Sequence, residues 1–137
     1  EESILPRLYR QAPLNSIWEG SGNIQCLDVL RALAREAGAL PAITRELGIG
    51  AAESPVLAER VEALGAALKD TQGMEVRARS LVEELAVCLQ ASLLVRSAPQ
   101  FVADAFLAGR FGTGRVFGTL PTGLNLEALI DRARVPL

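Results

Sequence analysis

The chain has 137 residues, of which 50% are hydrophobic and 22% charged, so its composition predicts one packed domain and excludes wholesale disorder. A net charge of −2 at pH 7 excludes a strong general attraction to nucleic acid or to an anionic membrane. The sequence contains no histidine, which excludes Ser-His-Asp and Cys-His nucleophiles and imidazole metal sites. Cys26 and Cys88 are too far apart for a CxxC pair or a zinc quartet, and we interpret both as buried hydrophobic residues. We therefore expect no metal site.

The opening part of the chain predicts short helices followed by one longer helix. Pro6 and Pro13 interrupt residues 1–20, so any helix there is short or kinked. From Ser21 onward hydrophobic residues recur every three positions, which predicts an amphipathic helix with Gly38 at its C-cap.

A break in the chain follows a brief predicted helix over residues 41–47 that ends at Gly48. We use this break to divide the chain into residues 1–48 and residues 49–137. The second part holds the remaining bundle helices and a C-terminal extension.

Further helices are predicted after the break. Ser54 is a natural N-cap with Pro55 at the first helical position. A longer helix follows Gly73, and its wide apolar face is typical of the interior of a bundle. Pro99 ends that helix and starts the next, and Asn125 caps a last short helix. The main apolar stripe of these helices consists of Leu57, Val61, Leu64, Leu68, Met74, Ala78, Leu81, Leu85, Cys88, Ser92 and Val95.

The sequence shows no paired alternating strands, so we predict an all-α fold, a helical bundle with a C-terminal helical extension. The longest uncharged run in its second half, residues 85–95, is shorter than the ~20 residues of a membrane span. We expect no membrane association and a cytoplasmic location. The chain begins without methionine, so we expect it to be part of a longer protein.

The loop Trp18-Glu19-Gly20-Ser21-Gly22-Asn23 is the first candidate functional site. Glycine leaves room for a ligand beside the backbone, and a helix start offers free N–H groups and a positive dipole end. A carboxylate beside a tryptophan loses hydration when a ligand covers it, which strengthens the carboxylate as a base. The alternative is that Glu19 and Ser21 only stabilise the helix start.

Two other candidate sites are weaker. The glycine-rich segments at residues 20–25 and 112–118 depart from the G-x-G-x-x-G spacing, and no strand precedes either, which excludes a dinucleotide fingerprint. We expect the segment 117–121 (Phe-Gly-Thr-Leu-Pro) to be a loop anchored by a buried aromatic ring. The chain has thirteen arginines and one lysine against 16 acidic residues, and its positive charges form no basic run. A solvated surface is therefore favoured over a nucleic-acid site.

Residues 8–25 (Leu-Tyr-Arg-Gln-Ala-Pro-Leu-Asn-Ser-Ile-Trp-Glu-Gly-Ser-Gly-Asn-Ile-Gln), continuing to the Leu-Arg-Ala-Leu of residues 30–33, resemble the acyl-CoA dehydrogenase family. The similar segment lies near the start of that family's C-terminal helical domain, where an aromatic residue, Glu-Gly-Thr, a polar residue and Ile-Gln follow one another. The Trp-Glu-Gly-Ser-Gly-Asn version, with a later Phe-Gly-Thr-Leu-Pro loop, is most similar to the adaptive-response branch.

The resemblance implies roles for individual residues. Glu19 falls where many members keep the catalytic base that removes the α-proton of an acyl-CoA thioester. Ser21 and Asn23 fall where the family holds the adenosine-diphosphate portion of FAD. Trp18 replaces the usual tyrosine beside the base, and with Gly20 it is expected at the substrate pocket. Some relatives keep their base on a different helix.

The resemblance also implies partners. The FAD pocket of the family is shared with an N-terminal helical domain and a central β domain, often with a second subunit, so we expect a homo-oligomer and a chain that is inactive alone. The implied substrate is an acyl-CoA, and the usual electron acceptor is electron-transferring flavoprotein. One alternative is a DNA-binding module of the alkylation-damage response. Another is an assembly module whose apolar faces between Leu57 and Val95 pack on missing domains or on a sister subunit.

Overall fold

The structure is a computed structural model that describes residues 3–18, 20–112 and 120–134. Within these ranges the regular structure is entirely helical, which confirms the predicted all-α fold. The helices are α1 (Leu5–Gln11), a 3₁₀ helix (Ala12–Ser16), α2 (Gly22–Arg35), α3 (Ala39–Ala51), α4 (Pro55–Lys69), α5 (Ala78–Ser97), α6 (Gln100–Phe111) and α7 (Leu126–Ala133). None of the helices so described is long and apolar enough to cross a membrane.

Helix α5 is the centre of the bundle, because it packs against α2, α3, α4 and α6. Its wide apolar face, with stripes on two sides, is what allows one helix to contact four others. The core is formed by Leu47, Leu57, Leu64, Leu85, Cys88 and Ala91. Most of the predicted stripe therefore packs inside this chain, and Val61, Leu68, Leu89 and Val95 pack against the same core. The chain's own helices thus cover much of the apolar faces between Leu57 and Val95, whereas Val76 and Leu93 stay exposed, and the assembly module stays a prediction.

The predicted break near Gly48 is wrong in its position. Helix α3 continues through Gly48 and ends at Ala51, three residues before Ser54, the cap of α4. Gly50 is buried where α3 crosses α5, and its missing side chain allows the two helices to approach closely. The glycine thus serves packing between helices, which overrides its weak helix propensity. The division into residues 1–48 and 49–137 stays a prediction.

The helix caps were predicted with mixed success. Ser54 caps α4, since its Oγ accepts a hydrogen bond of 3.3 Å from the backbone N–H of Leu57. Asn125 caps α7 in the same way through the N–H of Ala128. Gly38 does not end the preceding helix, because α2 already ends at Arg35 and Gly38 precedes α3.

The N-terminal part of the chain carries a series of exposed hydrophobic side chains. Helix α1 and the 3₁₀ helix pack on each other and bury none of their residues. We call these side chains the N-terminal apolar surface, each between 48% and 81% exposed: Ile4, Leu5, Leu8, Tyr9, Leu14, Ile17 and Trp18. Exposed apolar side chains in such number are typical of a surface that contacts another molecule.

Candidate functional site

The start of α2 follows one unusual backbone position. Gly20 adopts a φ of +124°, a conformation that residues with a side chain rarely reach. Ser21 is extended and stands at the N-cap, but its hydroxyl accepts no bond from the first turn of the helix. The alternative in which the Ser21 side chain caps the helix is therefore wrong. Its hydroxyl remains available to a ligand.

The side chain of Gln25 closes the loop that leads into α2. Its Nε2 donates a hydrogen bond of 2.7 Å to the backbone carbonyl of Trp18. The N–H of Trp18 donates in turn to the carbonyl of Leu14, at 2.8 Å. Both polar groups of the Trp18 backbone are thus held, although its indole is 58% exposed. Glu19, the predicted base, lies outside the described residues. The structure describes the residue before it, Trp18, whose backbone is held by these two hydrogen bonds.

Asn23 is tied to the start of α5. Its Oδ1 accepts a hydrogen bond of 3.1 Å from Nη1 of Arg79, a residue 56 positions further along the chain. The guanidinium also lies beside Gly22, where an added Cβ would be 4.0 Å from both terminal nitrogens of Arg79. An arginine side chain therefore stands next to the first turn of α2.

The structure brings together the predicted site residues that it describes. Trp18, Ser21 and Asn23 are exposed and Gly20 is half-buried, and all four surround the first turn of α2. Sequence reasoning missed the roles of Gln25 and Arg79. Gln25 lies in the first turns of α2, close enough in sequence to contact the preceding loop, and this position is a local signal for its role. No local feature of the sequence marks Arg79 as a neighbour of Asn23.

A groove of about 630 Å³ lies further along α2. Leu27 and Leu30 from α2 form one side, and the loop between α4 and α5 forms the other through Met74 and Val76. Leu27 lies one turn after Asn23, so the groove and the candidate motif lie next to each other along α2.

The two cysteines have different environments. Cys88 is fully buried, as predicted, and burial together with the nearby Glu84 raises the pKa of its thiol to about 11. Such a thiol is protonated and inert at neutral pH. Cys26 is only half-buried, so the prediction of burial is wrong for it. In the described part of the chain no group of three or more His, Cys, Asp or Glu side chains is arranged to hold a metal ion.

Several arginines of the described chain are paired with carboxylates. The pairs are Arg31–Asp28, Arg60–Glu84, Arg77–Asp70, Arg96–Glu46 and Arg134–Asp131. Local pairing weakens the positive field that a DNA-binding surface needs, so the DNA-binding alternative gains no support here. The predictions made for Phe117 and for most of the glycine-rich segment 112–118 lie outside the described residues.

Comparison with known proteins gives two similarities. The chain is 76% identical over 38 residues to the putative acyl-CoA dehydrogenase AidB of Escherichia coli (strain K12), a match that covers 28% of the chain and 7% of that protein. It is 37% identical over 82 residues to acyl-CoA dehydrogenase family member 11 of Caenorhabditis elegans, covering 57% of the chain and 13% of that protein. No protein-family model matches the chain. The chain thus spans a small part of the length of the curated relatives it matches, and it is related to the acyl-CoA dehydrogenase family.

Proposed function

We propose that the chain is the C-terminal helical part of an FAD-dependent acyl-CoA dehydrogenase, an enzyme that oxidises the α,β carbon–carbon bond of acyl-CoA thioesters. One observation carries the proposal: Trp18, Ser21 and Asn23 stand on the surface around the start of α2 instead of joining the chain's own core. Such an arrangement suits a site that other parts of a larger protein complete. The similarity to two proteins named as acyl-CoA dehydrogenases supports the same reading.

The residues at the start of α2 fit the diphosphate portion of FAD. The backbone N–H of Gln25 donates the first hydrogen bond of α2, to the carbonyl of Ser21. The backbone N–H groups of residues 22–24 therefore have no acceptor within the helix. These N–H groups, the Ser21 hydroxyl and the Asn23 carboxamide form a donor set for an acceptor-rich ligand. Gly20 adds no side chain that would block it. We assign Ser21 and Asn23 to hold the ADP portion of FAD; the flavin ring of a bound FAD would supply the hydride acceptor.

The proposed proton transfer uses Glu19. Its carboxylate takes the proton from the α-carbon of the thioester as a general base, and substrate together with Trp18 shields it from water. Gln25 holds the carbonyl of Trp18, which belongs to the peptide that leads directly into Glu19. The hydrogen bond of Gln25 therefore holds the Trp18 carbonyl immediately before the base. Gly20, on the other side of Glu19, leaves space for the acyl chain.

The N-terminal apolar surface supports the proposed partners. Its side chains stay exposed in this chain, whereas an N-terminal helical domain, a central β domain or a sister subunit would cover them. We accordingly propose a homo-oligomeric parent protein that delivers electrons to electron-transferring flavoprotein. In this proposal other domains supply the residues that bind the flavin ring and the CoA thioester, so we expect the chain alone to be catalytically inactive.

The test of the base is Glu19→Gln in the full-length protein. The amide cannot take a proton, so the rate of acyl-CoA oxidation falls by about 10²–10⁴ while the flavin absorbance stays unchanged. Glu36→Gln, at the other end of α2, makes the same chemical change away from the motif and keeps the wild-type rate. Unchanged activity of Glu19→Gln would place the base elsewhere and leave Glu19 a structural role.

The test of the fragment uses the purified 137-residue chain with added FAD, an acyl-CoA and an artificial electron acceptor. We expect no oxidation above the background of free flavin. Oxidation that depends on the chain and is lost in Glu19→Gln contradicts the proposal that other domains complete the site.

A further inference from the structure

The contact between Asn23 and Arg79 determines which atoms of the carboxamide a ligand meets. An arginine side chain carries only hydrogen-bond donors, so the atom of Asn23 that faces Arg79 at 3.1 Å must be the oxygen Oδ1. The amide nitrogen Nδ2 then points to the other side of the carboxamide with two N–H donors. Asn23 is thereby presented to a ligand as a donor.

Arg79 is well placed to hold this orientation, because the backbone that carries it is fixed. It lies in the first turn of α5 between the buried residues Ala78 and Leu81, which are 3% and 6% exposed. Just before it, Nη2 of Arg77 donates hydrogen bonds of 2.6 Å and 3.1 Å to the carbonyls of Asp70 and Gln72 and closes the loop from α4. The anchored start of α5 thus serves as a support for the start of α2.

We propose that Arg79 is a positioning residue for the cofactor: by holding Oδ1 of Asn23, it turns the Nδ2 donors toward an oxygen of the ADP portion of FAD. This inference rests on the proposed function of Asn23. Without Arg79 the carboxamide can rotate by half a turn and present either its oxygen or its nitrogen. A phosphate oxygen accepts from the nitrogen and is repelled by the oxygen, so loss of the guanidinium weakens binding through Asn23.

The test is a double-mutant cycle in the full-length apoprotein, with FAD affinity measured by calorimetry. Asn23→Ala removes the donor, and we expect its FAD dissociation constant to rise about tenfold. Arg79→Met leaves a carboxamide that adopts its two orientations about equally, so a rise of about twofold is expected. In the double variant Arg79→Met adds nothing to Asn23→Ala, because the arginine acts through the asparagine. The side chain in Arg79→Lys also carries only hydrogen-bond donors, so it holds Oδ1 of Asn23 and restores the affinity of the wild type.

Different failures of this cycle have different meanings. Independent, additive effects of the two single variants overturn the positioning role, because Arg79 would then act on the ligand by its own charge. An unchanged affinity in Arg79→Met, with a loss in Asn23→Ala, also overturns it and leaves the proposed function intact. An unchanged affinity in Asn23→Ala overturns the cofactor role of Asn23 itself. Arg35→Met removes the same charge from the far end of α2 and serves as the control, and thermal unfolding of each apoprotein verifies its fold.

Discussion

The substitution Gly50→Ala tests the close contact between α3 and α5 at the point where the two helices cross. A Cβ added to Gly50 would lie 2.6 Å from the Cα and 2.7 Å from the Cβ of Ser92, with the Ser92 hydroxyl closer still. The Cα belongs to the backbone of α5 and cannot rotate away. Gly50→Ala therefore forces the two helices apart at their crossing point, where Leu47, one turn earlier on α3, contributes to the core.

The magnitude follows from two opposing effects. Overpacking a well-packed interior costs about 1–3 kcal/mol. Alanine in place of glycine favours a helix by about 0.5–1 kcal/mol, and less in the last turn, where Gly50 lies. We expect Gly50→Ala to lower the free energy of unfolding by about 1–2 kcal/mol. Gly48→Ala is the matched control: its Cβ meets nothing within 4 Å, so it gains the helical preference without the clash.

Urea unfolding of the 137-residue chain, followed by far-ultraviolet circular dichroism, measures both variants. We expect the midpoint to fall for Gly50→Ala and to rise for Gly48→Ala, with unchanged slopes. Adding Ser92→Ala does not restore the stability of Gly50→Ala, because the clash with the Ser92 Cα remains. If Gly50→Ala is as stable as the wild type, the close crossing of α3 and α5 is wrong.

Three further predictions concern individual side chains. Ser54→Ala removes the buried cap of α4 and is expected to lower the free energy of unfolding by about 0.5–2 kcal/mol in the same urea titration; a Thr replacement, which keeps the hydroxyl, should recover most of the loss. Because the pKa of the Cys88 thiol rises from 9.0 to about 11 on burial, the folded state holds this proton more tightly than the unfolded state. Stability is therefore expected to fall as the pH rises from 9 to 11, and the fall should be smaller in Cys88→Ala; equal falls in both chains would contradict the linkage. With a thiol reagent at pH 8, Cys26 should react in the folded chain and Cys88 only after unfolding, and rapid reaction of both would refute the buried position of Cys88.

Local chemistry made much of the fold predictable. Ser54, Pro55 and Asn125 each mark a helix start, because a cap or a fixed φ acts on its immediate neighbours. The spacing of hydrophobic residues predicted the stripe that enters the core, since periodicity reflects the face that a helix buries. The candidate motif was predicted on the same local basis, and four of its members surround the first turn of α2.

Contacts between distant parts of the chain were not predictable. Gly50 indicates a helix end when its neighbours in sequence are considered, but it is kept inside α3 by a neighbour 42 positions away on α5. The hydrogen bond from Arg79 to Asn23 likewise depends on how α2 and α5 pack. A single sequence carries no record of such pairs, so the predicted helix ends before α3 does, and the contact of Arg79 with the motif was not predicted.

The chain separates the residues that make it fold from those proposed to make it function. Its core lies along α3, α4 and α5, whereas Ser21 and Asn23 are exposed at the start of α2 and contribute nothing to that core. Exposed substitutions usually change stability by about 0.5 kcal/mol or less. A tenfold loss of flavin affinity in Asn23→Ala, with an unchanged thermal unfolding of the apoprotein, therefore reports on the ligand and not on unfolding. The same separation explains how a helical bundle with its own core can still depend on other domains for its chemistry.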